Sequence, residues 1–306
     1  RRDGSSVFGE NKKWGYFPSV GLAWRIDKEA FMQGQNVFSD LKLRASYGVT
    51  GNSSGFNAYT AQFISGANGT FYYNGAQVGA YGPIQAANSD LGWEKTTTSN
   101  LGIDFTVLKG ILSGTVEVYN KRTTDMIYGY SVNPVLVPSG SITANGGSMS
   151  NKGIEITINA SPVKTKDFSW STNFNIAHNK NEILKLTNPL FAGGDSIRRV
   201  QPDGGGQTGS SLQIFKEGKP IGQFFTLEYA GKNSSGVSQY VAKDGSLTTA
   251  PSIGVDYHYV GSAQPKLLLG WTNDFRYKNF DLNIFIRGVF GNKIFNVTRA
   301  DLFRPS

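Results

Sequence analysis

From Leu112 onward the residues alternate. Leu112, Gly114, Val116 and Val118 fall on one face, and Ser113, Thr115, Glu117, Tyr119 and Lys121 fall on the other. A period of two predicts an extended strand whose faces meet different surroundings. The alternating stretch within 110–128 is longer than the ~5–6 residues of an average soluble strand. It suits a tilted bilayer crossing, which takes roughly 9–11 residues. The apolar face holds small and branched side chains. The polar face carries a charge of each sign, which a dry core would not accept without pairing. A lipid side and a wet side mark a transmembrane barrel. A long, half-wet strand of a large soluble sheet would give the same alternation.

The pattern recurs along the chain. Val20, Leu22, Trp24 and Ile26 oppose Ser19, Gly21, Ala23 and Arg25, and Leu41, Leu43, Ala45 and Tyr47 oppose Lys42, Arg44, Ser46 and Gly48. Leu101, Ile103, Phe105 and Val107 oppose Asn100, Gly102, Asp104 and Thr106. Further strands are predicted at 151–163, 168–184, 265–277 and 280–292. In the last of these Phe285 interrupts a polar row that includes Asp281, Asn283 and Arg287. Short turns at 109–110, 164–167 and 278–279 alternate strictly with long excursions at 51–95, 129–150 and 185–265. Outer-membrane barrels put short turns in the periplasm and long loops outside. The connector at 27–39 falls on the short-turn side. The predicted fold is therefore all-β: a transmembrane antiparallel β-barrel segment with short periplasmic turns and long extracellular loops. It has eight full crossings and a partial one at the start. The three excursions are read as loops, the last with two small strand-like pieces and a turn at Asp244-Gly245.

Composition narrows the alternatives. The 306 residues include 38 glycines, 13% aromatics and 17% charged residues, against about 25% charged in ordinary soluble domains. No run approaches the roughly 20 apolar residues of a membrane helix, so any crossing is by strands. The absence of cysteine excludes disulfides and thiolate metal sites. The net charge of +8 raises the question of nucleic acid. The basic residues are scattered, however, and no basic helix or RNA-binding motif accompanies them. A barrel lumen and headgroup-level turns account for them equally well.

The phrase RRDGSSVFGENKKWGYFPSVGLAWRI resembles the barrel region of SusC/RagA-type TonB-linked outer-membrane transporters. LKLRASYGVTGN, NSDLGWEKTTTSNLGIDF, GTVEVYNKRTTDMI, NGGSMSNKGIEI and GSAQPKLLLGWTNDFRYKNFDLNIFIRGVFGNKIFN resemble the same family in the same order. The resemblance covers almost the whole chain, and periodicity alone would not have supplied it. It implies an outer-membrane barrel of about 22 strands with a plugged lumen. It also implies energy coupling through TonB and a SusD-like surface lipoprotein as partner. The imported substrate would be an oligosaccharide, or in some cases a peptide. Residues 1–306 are then expected to be one part of a single barrel domain, from its C-terminal half, with the plug, the TonB box and the last strands outside this chain.

Little points to catalysis. His178 and His258 lie far apart without ligand spacing, and the Gly-rich run at 203–209 lacks the Gly-Lys-Ser/Thr of a phosphate-binding loop. The chain is read as a non-enzyme that needs no cofactor or metal. Arg44, Asp104, Glu117, Lys121, Glu155 and Arg287 are expected to face the lumen. Tyr72, Tyr73 and Tyr81 in the first long loop, with Asn74 and Asn88 nearby, are candidate ligand contacts, since oligosaccharides are held by aromatic faces and hydrogen-bonding side chains. The same tyrosines could instead pack the loop or sit at the lipid interface. Trp14, Trp24, Trp93 and Trp170 are read as girdle or strand-end packing. Three functions remain in play: an active importer, a scaffold for surface lipoproteins or an assembly machine, and a soluble sandwich adhesin.

Overall fold

A computed structural model describes residues 1–135, 137, 139–187, 194, 196–199 and 211–302. The Gly-rich run at 203–209 lies outside the described residues. Eight strands form one sheet: β1 Ser19–Arg25, β2 Phe38–Asn52, β3 Glu94–Val107, β4 Leu112–Thr124, β5 Ser148–Lys164, β6 Phe168–Lys185, β7 Leu267–Tyr277 and β8 Phe280–Phe290. They run in simple sequence order, each antiparallel to its chain neighbours. Among the described residues no helix is long and apolar enough to cross a membrane.

The register explains the alternation. Trp24, Leu43, Ile103, Val116, Ile156, Ile176, Leu269 and Gly288 are successive cross-strand partners, so one uncharged row runs across all eight strands. The row beside it is Leu41, Phe105, Gly114, Ile158, Phe174, Trp271 and Ile286. This face is unburied within the chain: Leu22 is 72% exposed, Ile103 43% and Ile284 42%. A contiguous apolar patch of this extent is not stable against water. From Phe168 to His178 the strand rises roughly 34 Å at ~3.4 Å per residue. With a tilt of about 35–45° that matches the roughly 25 Å apolar band of outer-membrane barrels.

Turn chemistry follows the predicted sides. Between β3 and β4 the backbone passes through Leu108, Lys109 and Gly110 with φ of 53°, 56° and 91°. Lys278 (φ 51°) turns the chain from β7 into β8. The connector after β1 holds two short 3-10 turns, Ile26–Lys28 and Ala30–Met32. In β5 the ladder slips between Ala160 and Val163. Pro162, which has no N–H to give the ladder, sits in that slip.

All three excursions hold more strand than the sequence predicts. Among the described residues of 185–265, seven short strands lie between Ser196 and Ser262, in a four-stranded and a three-stranded sheet, where the sequence offers two pieces. Within 51–95, Ile64–Tyr73 and Ala76–Gln85 form a long hairpin, and at the second excursion Ile127–Ser131, which starts two residues before it, pairs with Ser141–Asn145. The first hairpin turns at Asn74-Gly75, both with positive φ (48° and 79°), as the preferred two-residue turn requires. Its strands carry no clean hydrophobic alternation because neither face meets a core.

A buried hydrophobic cluster lies at the long-loop end. Val7, Phe8, Phe17, Leu91 and Trp93 are buried together. The Trp93 ring lies 4.8 Å from Phe8 and 5.3 Å from Phe17 between centroids. Trp93 is thus strand-end packing. The Gly9 amide donates to the Leu91 carbonyl at 2.8 Å, and a Cβ at Gly9 would stand 1.8 Å from the Ser89 carbonyl oxygen. Only glycine permits that approach.

In the third excursion Asp256 clamps a turn. Its two carboxylate oxygens accept the backbone amides of Lys243 at 2.8 Å and Ser252 at 2.7 Å. These bonds hold its pKa below the ordinary carboxylate value, the Ser252 amide most of all.

Replacing Phe8 by Ala should weaken the cluster by about 3–5 kcal/mol. Amide exchange over residues 5–13 should accelerate while β1–β8 stay protected; unchanged exchange there would contradict the packing account. Because Asp256 has a lowered pKa in the folded state, its stabilisation is complete above the unfolded value near ~3.9 and is lost as pH falls through the folded value. Exchange of residues 243–256, corrected for its intrinsic pH dependence, should therefore rise at low pH. Asp256→Asn should show the raised exchange at every pH.

Candidate functional site

The polar face of the sheet gathers the charge. One row holds Arg25, Lys42, Asp104, Thr115, Thr157, Asn175, Gly270 and Arg287 as successive partners across all eight strands. The next holds Ala23, Arg44, Gly102, Glu117, Glu155 and Ala177. Alternation puts Lys121 on the same face as Glu117. All six residues expected to face the lumen therefore share one side, opposite the apolar rows.

Three of the six form one network. Arg44 Nε donates to Asp104 Oδ2 at 2.8 Å and a terminal guanidinium nitrogen donates to Asp104 Oδ1 at 2.9 Å, a two-pronged pair. The same nitrogen reaches Glu117 Oε2 at 3.3 Å. Lys42 Nζ adds an ion pair to Asp104 at 2.9 Å, and the Thr115 hydroxyl donates to Asp104 Oδ1 at 3.1 Å. Gly102 makes the reach possible. It stands between Arg44 and Glu117 in the register, and a Cβ there would meet the guanidinium at 2.9 Å. Arg44 thus crosses β3 over a bare backbone to touch β4.

The other three stand apart from it. Glu155 is directly opposite Glu117, so two acids face each other across β4 and β5. Lys121 Nζ lies over its own strand's Tyr119 ring, 5.1 Å from the centroid. Arg287 stands opposite Gly270, four strands from Glu117. Sequence parity places Lys42, Gly102 and Thr115 on the polar rows but does not pair them with Asp104 and Arg44. Lys42 and Gly102 join the network through the β2–β3 register, which is set across an excursion of some forty residues and leaves no local signal, whereas Thr115 meets Asp104 through the short β3–β4 hairpin.

The loop candidates lie on the Asn74-Gly75 hairpin. Tyr72, Tyr73 and Tyr81 are exposed at 78%, 70% and 83%. Tyr72 pairs with Gln77 and Tyr73 with Ala76 at its tip. Neighbouring strand residues point to opposite faces. Tyr72 and Tyr73 therefore cannot form one platform; Tyr72 shares a side with Gln77 and Thr70, and Tyr73 shares a side with Phe71 and Val78. Asn74 is the turn residue itself. Asn88 is engaged elsewhere: its side-chain amide donates to the Thr143 carbonyl at 2.8 Å. Asn145 returns the tie, donating to the Gly92 carbonyl at 2.8 Å and accepting the Gly92 amide at 2.6 Å.

The arrangement suits binding and passage of polar solutes. His178 Nδ1 donates to the Lys266 carbonyl at 2.6 Å. His258 Nε2 faces the carbonyls of Val241 and Ala242 at 3.2 and 3.1 Å. Among the described residues no group of three acidic, histidine or cysteine side chains could hold a metal.

Gly102→Val should push the guanidinium off Glu117. In a double-mutant cycle with Glu117→Gln, the Arg44–Glu117 coupling present in the parent should vanish in the valine background. The Arg44–Asp104 coupling itself should be about 1–2 kcal/mol by denaturant unfolding in lipid vesicles. That is the lower part of the range for charged hydrogen bonds, because both side chains keep a quarter to a third of their exposure.

Comparison with known proteins agrees with this architecture. Residues 1–287 match the family described as TonB dependent receptor-like, beta-barrel. The TonB-dependent receptor SusC of Bacteroides thetaiotaomicron is 34% identical over 99% of the chain and 31% of its own length. TonB-dependent receptor P39 of Formosa agariphila is 38% identical over 78% of the chain and 20% of its own length. Among solved structures, the RagAB peptide transporter superposes with a TM-score of 0.78 at 28% identity, covering 95% of this chain and 31% of that one. The chain spans about a third of the length of SusC and of the RagAB structure's chain.

Proposed function

Because the chain belongs to the TonB dependent receptor-like β-barrel family, we propose that it forms part of the barrel wall of an active importer for a large polar nutrient. Members of this family are outer-membrane receptors rather than enzymes. The observation that carries the proposal is the eight-strand sheet with one continuous uncharged row and one continuous polar row, in a chain 34% identical to SusC. The apolar face meets lipid. The polar face, with Arg44, Asp104, Glu117, Lys121, Glu155 and Arg287, lines the lumen. There, water and polar substrate cost these charges little desolvation.

The long connections lie outside the cell, so Tyr72, Tyr73, Asn74 and Tyr81 stand where substrate arrives. The substrate is an oligosaccharide; a peptide is the second reading, favoured by the likeness to a peptide transporter. A SusD-like surface lipoprotein covers the loop end, and TonB supplies the energy through a region beyond these residues.

Uptake by cells carrying the full-length protein should stop when an uncoupler collapses the proton-motive force, and continued accumulation would overturn the importer reading. If the hairpin contacts substrate by one face, Tyr72→Ala and Tyr73→Ala should separate. One should raise the half-saturating substrate concentration about five- to tenfold, as loss of an aromatic contact does. The other should change it less than twofold. Equal and negligible effects would remove the hairpin from the binding site.

A further inference from the structure

The apolar face ends differently at its two edges. At the short-turn edge its strand positions are uncharged and often aromatic: Trp24, Phe105, Phe168, Tyr277 and Phe280. At the long-loop edge the same face turns basic on four adjacent strands. Lys95 is on β3, Arg122 on β4, Lys152 on β5 and Lys180 on β6. Beyond the row of Leu101, Val118 and Ile154, on the long-loop side, Lys152 and Lys180 stand one step along the face, Arg122 two and Lys95 three.

Their arrangement lacks internal balance. Lys152 and Lys180 are direct cross-strand partners, a placement in which like charges repel. Lys180 has Glu182 at 3.0 Å, with its own side chain 71% exposed. Among the described residues Lys95, Arg122 and Lys152 make no ion pair, and all three are exposed. Arg122 is opposite Ser150, which is opposite Glu182, so Glu182 is two strands away from it. On the strand positions of the lipid-facing surface the cations stand at the long-loop edge, and the lysines of the opposite edge, Lys109, Lys166 and Lys278, lie in its short turns. A cationic row on the face itself complements phosphate-bearing headgroups of the leaflet it meets.

We propose that Arg122, Lys152 and Lys180 form a binding surface for phosphate-bearing lipid headgroups of the outer leaflet, extended by Lys95. The proposal rests on the outer-membrane reading of the apolar face. The long Lys and Arg stems lie along the upper edge of the band and place their charges at headgroup height. The phosphate relieves the Lys152–Lys180 repulsion that the protein leaves open. The lipid is held from the side of the barrel, away from the lumen.

The test uses the full-length protein in neutral detergent, titrated with diphosphoryl lipid A and, separately, with zwitterionic phosphatidylethanolamine. Adducts are counted by native mass spectrometry. The parent should prefer lipid A, and the preference should weaken with added salt. The combined variant Arg122→Gln, Lys152→Gln, Lys180→Gln should bind lipid A at least tenfold more weakly and bind phosphatidylethanolamine unchanged. A charge-matched control at the opposite edge, Lys109→Asn, Lys166→Gln, Lys278→Asn, should retain parental affinity. Equal lipid A binding by parent and combined variant would overturn the proposal. Saturable binding of inorganic phosphate alone, lost in that variant, would overturn its commitment to lipid. If the combined variant does not fold, Lys152→Gln alone is measured; a drop of about threefold supports the surface and no drop removes it. Recovery of the parent outside the outer-membrane fraction would instead sink the membrane reading, whatever its lipid preference.

Discussion

Hydrocarbon offers no partner to a backbone amide. A sheet that meets lipid must therefore satisfy its N–H and C=O groups strand to strand, without gaps. This requirement governs the chain from Ser19 to Phe290. It explains the strict neighbour-to-neighbour meander, since each hairpin extends the ladder by one strand and leaves one edge for the next. It also explains why irregularities sit where they do. The slip around Pro162 lies near the short-turn end of β5, and the other β5 slip lies at Ser148/Met149, its long-loop end. The strand middles, where the uncharged rows run, keep perfect register.

Once the ladder is fixed, the period of two sorts the chemistry. A side chain that belongs in water cannot share parity with one that belongs in lipid without shifting its whole strand. The polar rows consequently collect charges from strands far apart in sequence. Arg44 and Glu117 are 73 residues apart and meet only because Gly102 leaves the intervening strand bare. The network on the polar face is a product of register, and register is a product of the lipid on the other side.

Much of this was legible in the chain. Alternation located all eight strands, and the strict exchange of short turns with long excursions assigned the two ends. Part of what stayed hidden was structure without a buried face. The hairpin at Ile64–Gln85 is wet on both sides, so its residues carry no hydrophobic period; Asn74-Gly75 was its one strong signal, and it sat inside a stretch rich in similar turn residues. The pairing of Arg44 with Asp104 was equally invisible, because β2 and β3 are joined by an excursion too long to fix a register locally. Tyr72 and Tyr73 are neighbours in sequence, and the strand turns them to opposite faces.

The reciprocal tie between Asn145 and Gly92, with Asn88 bound to the Thr143 carbonyl, links two excursions that would otherwise vary independently. An insertion near residue 90 would have to be matched by a compensating change near 145. Freedom to drift is left to the ribbon beyond Gln62, which projects past the tie. Descendants of this protein can rewrite that ribbon while the laced base below it is inherited intact.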